Sequence, residues 1–226
     1  MAKKQEKKKK RKRLRVGRLL LLLILLGGIG YLLYRYVDIP ILSIKVTGNN
    51  ILTDQEIIEQ ADLEDYDSFF SSITLVIKNK LKKNFYIKDA KVTKGFLSIK
   101  IKVIEDKVLY INKDTGEKVS LTGKKKDDKE LCVPYLSNVV PDKKIKGFNK
   151  AMSKIDDEIL CKMSEIKYDP NDIDKDRYFV YMDDGNSVYL TVNKFKKINN
   201  YNTILENVGK QNGILYLDYG DYFKAY

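Results

Sequence analysis

The sequence predicts an α+β protein: a single transmembrane helix near the N-terminus, a β-α-α-β-β unit, and a second mixed β unit with two helices. Three observations carry this. An uncharged apolar run, Leu19–Tyr34, follows directly on a basic block. Further on, Leu97, Ile99, Ile101 and Val103 alternate with polar residues, the period of a half-buried strand, after two stretches with helical apolar spacing. Beyond residue 107, short β-rich runs and Gly-containing turns are interleaved with two further helical patterns. The expected division is a basic tail over 1–18, a membrane helix over 19–37, and folded units over 38–107 and 108–226.

The tail carries most of the charge. Residues 1–18 hold eleven Lys or Arg and one acid, Glu6, whereas the other residues hold 32 bases and 30 acids. The run Leu19–Tyr34 gives a helix of about 24 Å, and extension from Val16 to Val37 gives about 33 Å, enough for a ~30 Å hydrocarbon core. Arg18 and Arg35 then reach the two interfaces, and Tyr31, Tyr34 and Tyr36 suit an aromatic belt. Eleven bases precede the segment and only Arg35 and Lys45 follow closely, so the N-terminus is expected in the cytoplasm and the rest outside the cell membrane. The basic block thus needs no nucleic acid to explain it. A cleavable signal peptide ending near Gly28-Ile29-Gly30 is the alternative; the apolar run continues past it through Tyr31-Leu32-Leu33-Tyr34.

In the first folded unit, Pro40 ends the membrane helix and Ile41–Val46 reads as a strand. Gly48-Asn49-Asn50 is a turn. Thr53 and Glu56 form a capping box that opens a short helix through Ile57, Ile58 and Ala61. A second helix is expected from about Ser68, with Phe69, Ile73, Ile77 and Leu81 on one core-facing side. Ile87–Lys94 is a strand with Ala90 and Val92 inward, Lys94-Gly95 is its turn, and the alternating strand follows. Two helices are expected on one face of a three-stranded sheet.

In the second unit, strands are expected at Val108–Ile111 and Lys118–Leu121, with a solvated charged loop at Lys124–Lys129. One helix is expected within Asp142–Met163, through Ile145, Phe148, Met152, Ile155 and Ile159, and another over Asn193–Val208. A hairpin joins Tyr178–Met182 to Ser187–Val192 through Asp183-Asp184-Gly185-Asn186. Gly213–Tyr219 reads as a last strand, followed by Tyr222-Phe223.

Several functions are excluded or disfavoured. The chain has no His, which rules out a Ser-His-Asp triad, a Cys-His pair and His-ligated metal. Asp172, Asp174, Asp176 and Asp183 resemble a calcium loop, but Arg177 stands where Gly is needed and Asp183 where a bidentate Glu is needed. No phosphate-cradling Gly-rich loop or Gly-x-Ser-x-Gly is present. Neither enzyme activity, nor a cofactor, nor a small-molecule substrate is expected. Cys132 and Cys161 lack metal-ligand spacing; they either bridge outside the cytoplasm or remain buried free thiols, and the sequence leaves both open.

A basic tail, one membrane helix and a strand ending Val46-Thr47-Gly48-Asn49-Asn50 before a capped helix resemble the FtsQ/DivIB bacterial cell-division proteins. The hairpin Ala90-x-Val92 … Leu97-x-Ile99-x-Ile101-x-Val103-x-Glu105 is similar to the end of their POTRA domain, although Gly95-Phe96 replaces the Pro usual before its last strand. Val133–Asn138 resembles the Leu-Pro-x-Leu segment that follows that domain. Asp184-Gly185, Lys194 and Gly213-x-Leu215-x-Leu217-Asp218 … Tyr222-Phe223 are similar to the end of the family's β domain. The resemblance implies a divisome scaffold at the septum that binds single-pass partners of the FtsL/DivIC (FtsB-like) type and, through them, the septal peptidoglycan synthases. It also implies that Gly213–Tyr219 is the strand edge that receives a partner by β-augmentation. Ile214, Tyr216, Tyr219, Tyr222 and Phe223 are then the partner-binding residues, and a hydrophobic core face is the competing reading of the aromatics. The alternative function is an anchored or secreted POTRA-type polypeptide-binding or translocation module, after which a β-barrel would be expected.

Overall fold

The computed structural model describes residues 16–36, 40–64, 72–209 and 211–226. Helix α1 (Val16–Tyr36) is one uninterrupted apolar helix with its described side chains exposed, as a lipid-facing span requires. The residues of the basic tail before Val16, the side chains of Arg35 and Tyr36, and the segment carrying Ser68 and Phe69 lie outside the described residues.

The first module contains β1 (Ser43–Thr47), α2 (Asp54–Ala61), α3 (Thr74–Leu81), β2 (Ile87–Gly95) and β3 (Ser98–Glu105). The sheet order is β1-β3-β2, with β1 parallel and β2 antiparallel to β3. The capping box forms as expected: the Thr53 N–H donates to Glu56 at 2.7 Å, and the Glu56 N–H donates to Thr53 Oγ1. Ile57, Ala61, Ile77 and Leu81 pack with Ile99, Ile101 and Val103 into one core. Two expectations change. Ile73 does not face the core: it is the extended residue before α3 and stands 56% exposed. The hairpin turn is Phe96-Leu97 rather than Lys94-Gly95, because Gly95 still pairs with Ser98 and Leu97 takes the left-handed conformation (φ 48°). Glu105 closes the module, accepting from the backbone N–H groups of Asn50, Ile51 and Leu52 at 2.8 Å each.

The second module is a nine-stranded sheet. Its strands are β4 (Val108–Asn112), β5 (Lys118–Ser120), β6 (Lys124–Lys125), β7 (Tyr135–Leu136), β8 (Met163–Tyr168), β9 (Arg177–Met182), β10 (Ser187–Thr191), β11 (Gly213–Tyr216) and β12 (Tyr222–Ala225). The order across the sheet is β12-β11-β10-β9-β8-β7-β4-β5-β6. The expected helix over Asp142–Met163 is instead α4 (Asp142–Met152), α5 (Asp157–Lys162) and the unpredicted β8, with Ile155 buried in the break. The expected helix over Asn193–Val208 is a 3-10 helix (Val192–Asn200) running into α6 (Tyr201–Val208). Each helical pair joins two adjacent parallel strands, β7 to β8 and β10 to β11. The core is aromatic: Phe148 stacks on Tyr178 at 4.6 Å, and Phe195 meets Tyr178 edge-on at 5.4 Å.

The charged loop after β6 is not merely solvated. It is a strap across both modules. Asp127 accepts from Tyr86 of the first module (2.8 Å) and pairs with Lys118 and Lys125, while Lys129 pairs with Glu56 at 2.8 Å. Burial works against ionising Asp127, but the hydrogen bonds from Lys118, Lys125 and Tyr86 outweigh it and hold its carboxyl well below the usual range. Leu131 and Val133 pack on the first core. Between them Cys132 is joined to Cys161 of α5, with the Cα atoms 4.7 Å apart, so the pair is an exposed disulfide and not two buried thiols.

Candidate functional site

The C-terminal margin of the large sheet concentrates unusual features. Alternation along β9–β12 sends Tyr178, Val180, Val188, Leu190 and Leu215 under the helices and sends Phe179, Tyr181, Tyr189, Ile214, Tyr216 and Tyr222 to the opposite face. On that outer face the rings form a ladder. Phe179 lies 4.5 Å from Tyr189, Tyr189 lies 5.2 Å from Tyr216, and Tyr216 stacks on Tyr222 at 4.6 Å and 10°. Tyr181 meets Phe179 edge-on at 4.8 Å. The Arg177 guanidinium lies 3.5 Å from the centre of the Tyr189 ring, close enough for a strong cation–π contact.

The end of the chain is pinned by charge. Arg177 Nε donates to Asp218 at 2.9 Å and its Nη1 donates to Asp169 at 3.2 Å. Lys194 donates to the Asp218 carbonyl at 2.7 Å, and Lys197 pairs with Asp221 at 2.6 Å. These contacts hold the turn between β11 and β12, where Gly220 adopts φ 111°. Gly213 lets β12 approach: a Cβ there would sit 2.3 Å from the Lys224 carbonyl oxygen. Its N–H donates to the buried Asn186 side chain at 2.9 Å. Tyr201 in α6 donates to Asp184 at the β9–β10 turn (2.8 Å), and burial, reinforced by that carboxylate, pushes its hydroxyl well above the ordinary range.

The expected site residues are therefore only partly gathered. Ile214, Tyr216 and Tyr222 share the outer face. Phe223 lies on the other side, half-buried against the core. Tyr219 is in the turn, 83% exposed, and does not continue the Leu215–Leu217 face. The expectation that Gly213–Tyr219 is the edge is corrected: β11 ends at Tyr216 and is paired on both sides, and β12 is the edge. The Tyr226 N–H donates to the Asn212 carbonyl at 3.1 Å, so Tyr222, Lys224 and Tyr226 aim their backbone groups at β11, and Phe223 and Ala225 aim theirs outward. Sequence reasoning missed Arg177, Phe179, Tyr181 and Tyr189. The signal was there in the alternation Phe179-x-Tyr181 and in Tyr189 on the partner strand.

Comparison with known proteins finds similarity along most of the chain. The family described as "POTRA domain, FtsQ-type" matches residues 39–105. The cell division protein DivIB of Listeria monocytogenes is 28% identical over 81% of this chain and 72% of its own length. That of Bacillus subtilis is 27% identical over 90% and 82%. That of Enterococcus faecalis is 30% identical over 81% of this chain but only 52% of its own length. The major extracytoplasmic domain of DivIB from Geobacillus stearothermophilus aligns over 41% of this chain at 24% identity, with a TM-score of 0.34. Residues 39–105 thus match the FtsQ-type POTRA domain, and the chain is similar over most of its length to DivIB cell-division proteins.

Proposed function

We propose that this protein is a divisome scaffold. Anchored by α1 with its N-terminus in the cytoplasm and both modules outside, it gathers single-pass partners of the FtsL/DivIC type at the septum and links them to the septal peptidoglycan synthases. It performs no chemistry of its own; its work is recognition. The observation that carries this reading is the β12 edge. The outward N–H and C=O groups of Phe223 and Ala225 offer a pairing register for an incoming strand, beside an aromatic ladder that ends on the half-exposed Tyr222. Aromatic side chains next to a pairing edge supply contact area at low entropic cost, as interface hot spots do.

The test uses full-length variants in membranes from dividing cells. Ala225→Pro removes an outward N–H without touching the bonds to β11, a position where an edge strand tolerates proline. Tyr222→Glu places a charge at the end of the ladder. Each is expected to weaken retention of the single-pass partners by about 30-fold, the size of a central hot-spot loss, with an unchanged circular dichroism spectrum. Full retention by both variants would sink the edge-pairing mechanism. Depletion of the protein separates the scaffold from the translocation alternative: undivided filaments and a midcell fluorescent fusion support the scaffold, and normal septa support the alternative.

A further inference from the structure

The open face of the first module is cationic in a way its fold does not need. Lys45 on β1 pairs in register with Lys100 on β3, and Lys102 on β3 pairs with Lys91 on β2. Like charges directly opposite one another destabilise a sheet. All four lysines are exposed, and among the described residues none of them is paired with a carboxylate. With Thr47 and Thr93 they line a shallow hollow of about 310 Å³ on the sheet surface. Removing any one of them would relieve repulsion, so the arrangement suits an external polyanion.

Covalent geometry says which polyanion is near. Six residue steps separate Tyr36, the last residue of α1, from Leu42, a reach of at most about 20 Å. The Leu42 N–H donates to the Leu97 carbonyl at 2.9 Å, so the β2–β3 turn lies at the same end of the module as the membrane link. That end is greasy: Phe96 is 93% exposed and Leu42 72% exposed. Thr93 and Lys100 lie two residues along their strands from Gly95 and Ser98, the pair that closes the turn, about 7 Å away, and Lys91 and Lys102 lie about 13 Å from it. A headgroup layer is several ångströms deep, and lysine side chains extend to meet it.

We infer that the first module docks on the outer membrane surface, with Phe96 and Leu42 in the interface and Lys45, Lys91, Lys100 and Lys102 on anionic lipid headgroups. The inference rests on the reading of α1 as a membrane anchor. Docking of this kind fixes the orientation of the second module, and hence the height at which β12 meets its partners above the bilayer.

The chain has no tryptophan, so a single Trp is a clean reporter. Full-length Phe96→Trp and Leu25→Trp proteins are placed in nanodiscs of phosphatidylcholine, with or without about a third phosphatidylglycerol, containing spin-labelled lipids. Leu25→Trp is expected to be quenched by deep labels in both discs. Phe96→Trp is expected to shift its emission to the blue and to be quenched by shallow labels, strongly only with phosphatidylglycerol. Lys100→Gln with Lys102→Gln in the Phe96→Trp background should cut the docked-to-free ratio about 25-fold, roughly fivefold per lysine. Salt at about 1 M, with the lysines intact, should release the tip as well. An unquenched Leu25→Trp overturns the anchor and the docking with it. A quenched Leu25→Trp with Phe96→Trp unquenched in every disc overturns docking alone. If, in that case, soluble polyphosphate shields the four lysines from acylation, the face belongs to a phosphate polymer instead.

Discussion

In the first module, α2 and α3 cover one face of a small sheet and the other face presents Lys45, Lys91, Lys100 and Lys102. In the second, α4, α5, the 3-10 helix and α6 cover one face of a large sheet and the other presents Phe179, Tyr181, Tyr189, Tyr216 and Tyr222. The covered faces follow the same rule, aliphatic and aromatic side chains at every second position. The free faces do not: one repels itself, and the other stacks on itself. Since packing is satisfied on the covered side, the free side is where composition is released from folding and can answer to partners.

The two modules are joined by the strap, so the largest predicted effect tests whether they behave as one body. The Cys132–Cys161 bridge closes a segment with a sequence separation of 29, for which loop entropy gives about 3–4 kcal/mol. Cys132→Ser with Cys161→Ser should lower the unfolding free energy by that amount and resolve one thermal transition into two. A single unshifted transition would show that the strap is held by Asp127 and Lys129 without help from the bridge.

A matched pair of glycines compares the modules next. A Cβ on Gly48 would lie 2.3 Å from the Val103 carbonyl oxygen at φ 86°, in the middle of the first module. On Gly213 it would lie 2.3 Å from the Lys224 carbonyl oxygen, but against a peripheral strand that can move away. Gly48→Ala should cost about 2–3 kcal/mol and Gly213→Ala about 1–2. Hydrogen exchange should report the first throughout the module and the second only over β11 and β12.

What the sequence disclosed and what it hid follow from the same distinction between local and non-local causes. The alternation Ile99, Ile101, Val103 and the Thr53–Glu56 box are local, and both were legible. The helix break was not, because Ile155 and Ile159 keep their apolar spacing whether they sit in a turn or a helix. Strand β8 hid behind a bulge: a register shift between Met163 and Glu165 leaves Met163 and Ile166 both buried, three apart, which mimics a helical face. Of the candidate site, the aromatic composition could be read but the edge could not. Which strand ends a sheet depends on pairing order, and Tyr222–Ala225 is too short to announce itself.

The strap also gives a pH signature at the junction. Asp127 has a carboxyl held below its unfolded value, so its contribution to stability is present above about pH 4 and is lost as pH falls through the lower, folded value. Asp127→Asn should lower stability at pH 7 and flatten the curve below pH 4; an unchanged acid limb would mean that Asp127 is not the group responsible.

The smallest effects have opposite signs on the two free faces, and they test the comparison most directly. Lys100→Thr removes a like-charge pairing with Lys45 and should stabilise the first module in detergent at low salt by a few tenths of a kcal/mol. Tyr216→Thr keeps a residue of high β propensity in β11 but breaks the stack between Tyr189 and Tyr222, and it should destabilise the second module by about 0.5–1 kcal/mol. Added salt should erase the first effect and leave the second, because only the first is Coulombic. If both variants destabilise, Lys100 is contributing to packing through its methylenes, and the free face of the first module is as constrained by folding as that of the second.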